Sequence, residues 1–297
     1  MSELTRREFI KTSVVGAGAM IASPSLAAET VISSAKFQAC DRVELGKTGI
    51  VASRLAMGTG MHGSQRSSDH TKLGQKKFTE LIRHGYDNGL NFIDMADLYG
   101  SHPFVKNAMQ GIQRDKYVLL SKLWFREGRV IKPSGGAIKE VDQYRKELGT
   151  DMIDVVLIHC ANKPTWAEDL KRVRDEMSEL KQKGAIRACG VSCHSHQAMK
   201  VAAELEWTDV ILARINNKGA KMGGSPEEIS KTIAQARANG KCVLGMKIFG
   251  EGTLTQPEQK DASLKYVLKN DIVNAMTIGM LSTEQIDDSM KRIAGVI

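Results

Sequence analysis

The sequence predicts an α/β chain folded as a (β/α)8 TIM barrel preceded by a β-hairpin. Two observations carry that prediction. Eight short apolar runs alternate with eight helix-period segments over about 250 residues, the rhythm of parallel strands joined by helical crossovers. No phosphate-binding glycine loop follows the first run, where an open doubly wound sheet would carry one. A closed barrel accounts for both, and it makes a demand of its own: reactive side chains should collect where strands end.

The elements follow in order. Gly46 and Gly49 flank a turn between two extended pieces, a hairpin leading into a first buried strand over 54–57. Helix-period residues over 76–88 precede a strand over 91–93, and a helix near 104–111 precedes a strand over 117–121. A helix over 138–148 leads into Ile153-Asp154-Val155-Val156-Leu157-Ile158, a run typical of a strand buried on both faces. Leu170, Val173, Met177 and Leu180 recur at helical spacing over 167–183, and Gly184 stops that helix. Strands over 186–191, 209–213, 241–247 and 273–278 then alternate with helices over 196–205, 226–239, 257–269 and 283–293. Pro226 marks one helix start and Asn239-Gly240 its stop.

The barrel is expected over 41–297, because residues 1–28 read as something else. Arg6-Arg7 followed by Phe9-Ile10-Lys11, a mildly apolar core and Ala27-Ala28 resemble a twin-arginine (Tat) export signal. The expectations are cleavage after Ala27 or Ala28, the Tat machinery as a partner, and a periplasmic or otherwise exported mature protein. Removing its three basic and two acidic residues takes the net charge from +8 to +7. Basic and acidic residues are interspersed, which speaks against nucleic acid, and no run reaches the roughly 20 apolar residues of a membrane span. Five cysteines are too few for a disulfide scaffold. Cys189, Cys193, His194 and His196 match no common zinc spacing, so no metal is expected. Cys160 and Cys193 end neighbouring strands, which raises a redox role as a hypothesis.

Four polar residues meet the barrel's demand. Asp94 and Tyr99 follow the second strand, Lys122 ends the third and His159 ends the fourth. Singly, each has an ordinary structural reading; four on three consecutive strand ends point to proton chemistry. A tyrosine ionises at about 10, and a nearby ammonium would lower that value and ready the phenol as an acid.

The pieces LGKTG (45–49), LAMGTG (55–60), NFIDMADLYG (91–100), YVLLSKLW (117–124), DMIDVVLIHC (151–160), GAIRACGVSCH (184–194) and VLGMKIFGEG (243–252) resemble the aldo-keto reductases, from about Arg42 to the end of the chain. The resemblance implies a reductase that takes an aldehyde or ketone to the alcohol with NADP(H) or NAD(H). Tyr99 is then the general acid, Lys122 and Asp94 its support, and His159 the group that orients the carbonyl. It also implies cofactor contacts from Gly58, Thr59, Asp94, Ser192, Cys193, Met246, Lys247, Gly250, Gln285 and Asp288, with Trp124 beside the substrate. The chain departs from the family where Cys193 replaces an Asn, Leu212 a Gln, and Gln285 an Arg, which leaves the choice of NAD or NADP open. An exported nicotinamide-binding sensor or accessory subunit with little turnover is the alternative.

Overall fold

A computed structural model describes residues 37–123 and 136–296. The export-signal segment 1–28 and Trp124 lie outside them. Strands β1 (Arg42–Glu44) and β2 (Val51–Ser53) form an antiparallel hairpin. Eight parallel strands then close into a barrel: β3 (Leu55–Gly58), β4 (Phe92–Asp94), β5 (Val118–Leu123), β6 (Ile153–Ala161), β7 (Ile186–Cys193), β8 (Val210–Arg214), β9 (Cys242–Met246) and β10 (Ala275–Gly279), which returns to β3. Both the hairpin and the closed barrel match the sequence expectation.

Strand alternation divides the core in two. Phe92, Leu120, Leu157, Val210 and Leu244 face inward and fill the barrel. Ile93, Leu119, Val156, Ile211 and Val243 face outward and pack against the helices. Leu45 and Ile50 of the hairpin join the inner cluster, so the hairpin plugs the N-terminal end of the barrel. Gly46 makes that seat possible: its φ is +60°, and a Cβ there would lie 2.5 Å from the Cys242 nitrogen.

Helices α1 (Asp69–Lys72), α2 (Gly74–Asp87), α3 (His102–Ala108), α4 (Gly136–Leu148), α5 (Trp166–Asp169), α6 (Lys171–Gln182), α7 (His196–Glu204), α8 (Pro226–Ala238), α9 (Pro257–Lys269) and α10 (Thr283–Ala294) surround the strands. Three details differ from the expectation. Helix α1 is extra, started by a capping box in which Ser68 and Thr71 bond each other's backbone. The helix expected over 167–183 is broken at Leu170, whose φ of −112° leaves the helical range. Strand β6 runs three residues further than its apolar run, through a register shift between Ile158 and Ala161. Among the described residues no helix is long and apolar enough to cross a membrane.

Candidate active site

The register shift in β6 shapes the mouth of the barrel. Cys160 takes a φ of +59°, unusual for a side chain with a Cβ. Successive strand residues ordinarily face opposite ways; here His159 and Cys160 both turn toward His194, their ligand atoms and its own lying within 4.8 Å of one another.

Around His159 the four expected residues converge. Asp94 closes β4 and is buried; one carboxylate oxygen accepts from Lys122 Nζ, the other from Thr277 Oγ1 at 2.9 Å. Lys122 is 1 % exposed, and its ammonium also donates to the Met95 carbonyl at 2.8 Å. That ammonium lies 4.9 Å from the centroid of the Tyr99 ring, over its face. Tyr99 sits on a 3₁₀ turn, Asp97–Tyr99, and its Oη is 3.5 Å from His159 Nε2, with the two rings edge to face. Space for the phenol comes from Gly60, where a Cβ would fall 2.3 Å from the ring.

The electrostatics differ from the sequence expectation at one point. Burial, reinforced by the charge of Asp94, raises the Tyr99 phenol well above its usual 10. Lys122 lies over the ring rather than at the hydroxyl, and burial outweighs its charge, so the net shift is upward where a lowering was expected; the phenol stays protonated. Burial also lowers the Lys122 ammonium, while Asp94 holds it up. His159 is pushed well below 6.5 by burial and by the positive charge of Lys122, and so is neutral.

Beside this array lies a cleft of about 230 Å³ lined by Gly58, Asp94, Tyr99, Leu212, Met246 and Lys247, among others. Ser192 ends the inward face of β7, and its Oγ is buried with no hydrogen-bond partner among the described residues. Gly250 shapes the turn after β9, its N–H donating to the Lys247 carbonyl. Neither these two nor the remaining expected cofactor residues line the cleft itself. Thr59 directs its N–H and Oγ to the Asp94 carbonyl, so it fixes the end of β4 from behind. Cys193 turns outward into the strand–helix core. Gln285 accepts from the Leu281 N–H at the start of α10, and Asp288 pairs with Arg292 at 2.9 Å.

The cysteine and histidine groupings also change. Cys189 bonds toward Asp209 and His196 toward Thr232, so neither joins His194. Cys160 and Cys193 face opposite ways and both are free thiols. The cluster that does form, His159–Cys160–His194, has Lys122, Lys247 and Arg214 as electrostatic neighbours, a setting that repels a divalent cation. Sequence reasoning missed Thr277, His194 and Arg214 as parts of the mouth. Each was signalled in the same way as Lys122 and His159, as a polar residue at or near the end of an apolar strand.

Comparison with known proteins places this geometry. The profile described as "Aldo/keto reductase family" matches residues 54–294. The chain is similar to "Aldo-keto reductase YhdN" of Bacillus subtilis, 32% identical over 166 residues, covering 52% of this chain and 47% of the relative. It is also similar to the "NADH-specific methylglyoxal reductase" of Escherichia coli, 26% identical over 168 residues, covering 51% of each. The chain thus spans about half the length of the curated relatives it matches. Among solved structures, the holo form of aldo-keto reductase AKR11C1 from Bacillus halodurans shares the fold at a TM-score of 0.67 and 23% identity, over 85% of this chain and 90% of that one.

Proposed function

Because the chain belongs to the aldo/keto reductase family, we propose that it is a nicotinamide-dependent oxidoreductase reducing an aldehyde or ketone to the alcohol, with Tyr99 as proton donor. The observation that carries this reading is the convergence of Asp94, Lys122, Tyr99 and His159 from three strand ends onto one mouth.

The residues present fit a nicotinamide. Ser192 Oγ is the orphaned polar atom a carboxamide would satisfy. Gly58 lines the cleft, and a Cβ there would crowd Thr277 Oγ1 at 3.0 Å and the Ile278 backbone at 3.1 Å, so glycine lets β3 and β10 sit close at this point. Met246 and Leu212 offer apolar wall, and Lys247 a positive charge near the turn that carries Gly250. One relative is named for NADH; the chain's own departures at Leu212 and Gln285 leave either nicotinamide open to titration.

When bound, the nicotinamide supplies a hydride. The protein's part is to receive the charge that then develops on the carbonyl oxygen. Tyr99 Oη and His159 Nε2 are at the outer limit of a direct hydrogen bond, so an oxygen seated beside both can accept from each. His159 is neutral, and in the tautomer with its proton on Nε2 it donates to the carbonyl and fixes its direction. Tyr99 transfers its phenolic proton to the oxygen. Protonation of the oxygen leaves a phenolate, which the Lys122 ammonium over the ring stabilises, and Asp94 keeps that ammonium charged. Thr277 and Thr59 hold Asp94 in register. We further propose Tat export with the nicotinamide already in place, in keeping with the twin-arginine segment.

The test is a fluorescence titration of the purified protein with NADH and with NADPH, followed by a panel of aldehydes and ketones monitored by nicotinamide absorbance. Binding with turnover is expected. Binding without turnover across the panel would favour the accessory-subunit reading, and no binding of either nicotinamide would sink both.

A further inference from the structure

Resting on the reductase reading of this same mouth, we propose that Arg214 recognises an anion, and that the carbonyl substrates carry a carboxylate separated by several bonds from the reacting carbon.

Arg214 ends the otherwise apolar strand β8, two residues beyond Leu212 and so on the same inward face. Its Nη2 donates to His194 Nδ1 at 2.7 Å and its Nη1 to the Lys221 carbonyl at 3.1 Å. Its Nε is buried and has no hydrogen-bond partner among the described residues. A guanidinium has five N–H donors, and here only neutral acceptors receive from it. His194 is neutral because burial and then the Arg214 charge push it down to about 3. Among the described residues no carboxylate lies within ion-pairing distance of Arg214. A cation with a buried, unsatisfied donor is a costly arrangement for a folded chain to keep. A ligand's carboxylate would satisfy it.

The surroundings favour an anion over the alternatives. Lys247 adds positive charge to this side of the mouth, and the carboxylate of Glu251 is committed to Lys247 at 2.7 Å. A metal on His159, Cys160 and His194 is disfavoured by the same arginine. Its donation to Nδ1 places the His194 proton on Nε2, which faces Cys160 Sγ at 3.5 Å and is then no free ligand.

Geometry sets the spacing. Tyr99, His159, His194 and Arg214 succeed one another by contact, with ring centroids 5.7 Å apart for the first pair and 6.0 Å for the second, and 2.7 Å between His194 Nδ1 and Arg214 Nη2. In that order of contact the His194 ring separates a carbonyl at Tyr99 and His159 from the guanidinium. A carboxylate set across an aromatic ring or a comparable chain from the carbonyl suits that separation.

The experiment compares 4-carboxybenzaldehyde with 4-methylbenzaldehyde, using the full-length enzyme with saturating reduced nicotinamide. The wild type should favour the acid in kcat/KM by roughly 10- to 100-fold, the range for hydrogen bonds to a charged group. Arg214→Gln should erase that preference by slowing the acid alone, and Arg214→Lys should keep part of it through charge without the planar fork. Equal losses on both aldehydes, or a loss confined to nicotinamide affinity, would overturn the proposal; the second result would assign the anion to the cofactor's phosphates. Calorimetry with 4-methylbenzoate, which cannot be reduced, separates this idea from the reductase reading. Binding that weakens in Arg214→Gln while neither aldehyde turns over would remove the reductase and keep the anion site. Equal binding by wild type and both variants would remove the anion site, whatever the turnover.

Discussion

The two sides of the barrel mouth are built on opposite plans. On the β4–β6 side, Asp94, Lys122, Tyr99 and His159 contact one another, and Thr277 and the Met95 carbonyl take up further polar atoms. On the β7–β9 side the walls are Leu212 and Met246, and two buried polar atoms, Ser192 Oγ and Arg214 Nε, have no partner among the described residues. On the first side the reactive groups answer one another; on the second, Ser192 Oγ and Arg214 Nε are placed to answer a ligand. Preorganisation belongs where charge develops in a transition state, whereas a side that must admit and release molecules keeps its polar groups open. Substitutions on the two sides should therefore fail differently.

The largest effect is expected from Tyr99→Phe. Losing the acid should lower turnover by roughly 10²- to 10⁴-fold or more. The hydroxyl's contact with His159 is at the edge of hydrogen bonding, so thermal stability and nicotinamide affinity should barely move. Stopped-flow reduction and a binding titration on one preparation check both halves. Wild-type turnover in this variant would remove the proposed proton donor.

Next comes Lys122→Met, which leaves the Asp94 carboxylate buried with only Thr277 to answer it. Stripping one partner from a buried ion pair costs about 3–5 kcal/mol, readable as a lower denaturant midpoint. Adding Asp94→Asn should restore part of that loss, because neither charge is then stranded. If the single and double variants are equally unstable, the two residues are not coupled as the geometry requires.

Acid should act on stability more than on chemistry. His70 is held to about 4 and His194 to about 3, chiefly by burial. The unfolded chain takes up protons at these histidines near 6.5 that the folded chain refuses. Stability is therefore full above about pH 6.5 and falls as pH drops, with His70 alone accounting for on the order of 3 kcal/mol by pH 4. Glu147, lowered to about 2 by its bonds to His102 and Arg66 against an opposing burial effect, adds a loss below about 4.5. The chemical step should be flat through neutrality, since Tyr99 titrates well above 10 and His159 well below 6.5. A kcat profile with an ionisation between pH 7 and 9 would contradict that assignment.

The same contrast explains what could be read from the sequence. The barrel was legible because its inner and outer layers both demand apolar strands at a fixed rhythm, as in the run from Ile153 to Ile158. Asp94, Lys122 and His159 were legible because charge at the end of such a strand is conspicuous. What was not legible depended on direction. Thr59 and Cys193 sit next to cleft positions but face elsewhere, and a one-residue register shift turns Cys160 into the mouth. Likewise, proximity of Lys122 to Tyr99 was foreseeable, while its position over the ring rather than at the hydroxyl was not.

The smallest effect, and the sharpest test of the contrast, is Ser192→Ala. On the β4–β6 side, deleting a buried polar atom strands its partner and lowers stability. Ser192 Oγ has no partner to strand, so the ligand-free protein should be unchanged or slightly more stable in denaturant. The loss should instead appear on binding, at about 1 kcal/mol of nicotinamide affinity, the ordinary net value of one hydrogen bond. Both quantities come from one pair of proteins, and they move apart only if the hydroxyl serves the ligand rather than the fold. A variant that is destabilised without the nicotinamide, yet binds it normally, would show that Ser192 belongs to the plan of the other side. The division of the mouth would then fall between β7 and β8 instead of between β6 and β7.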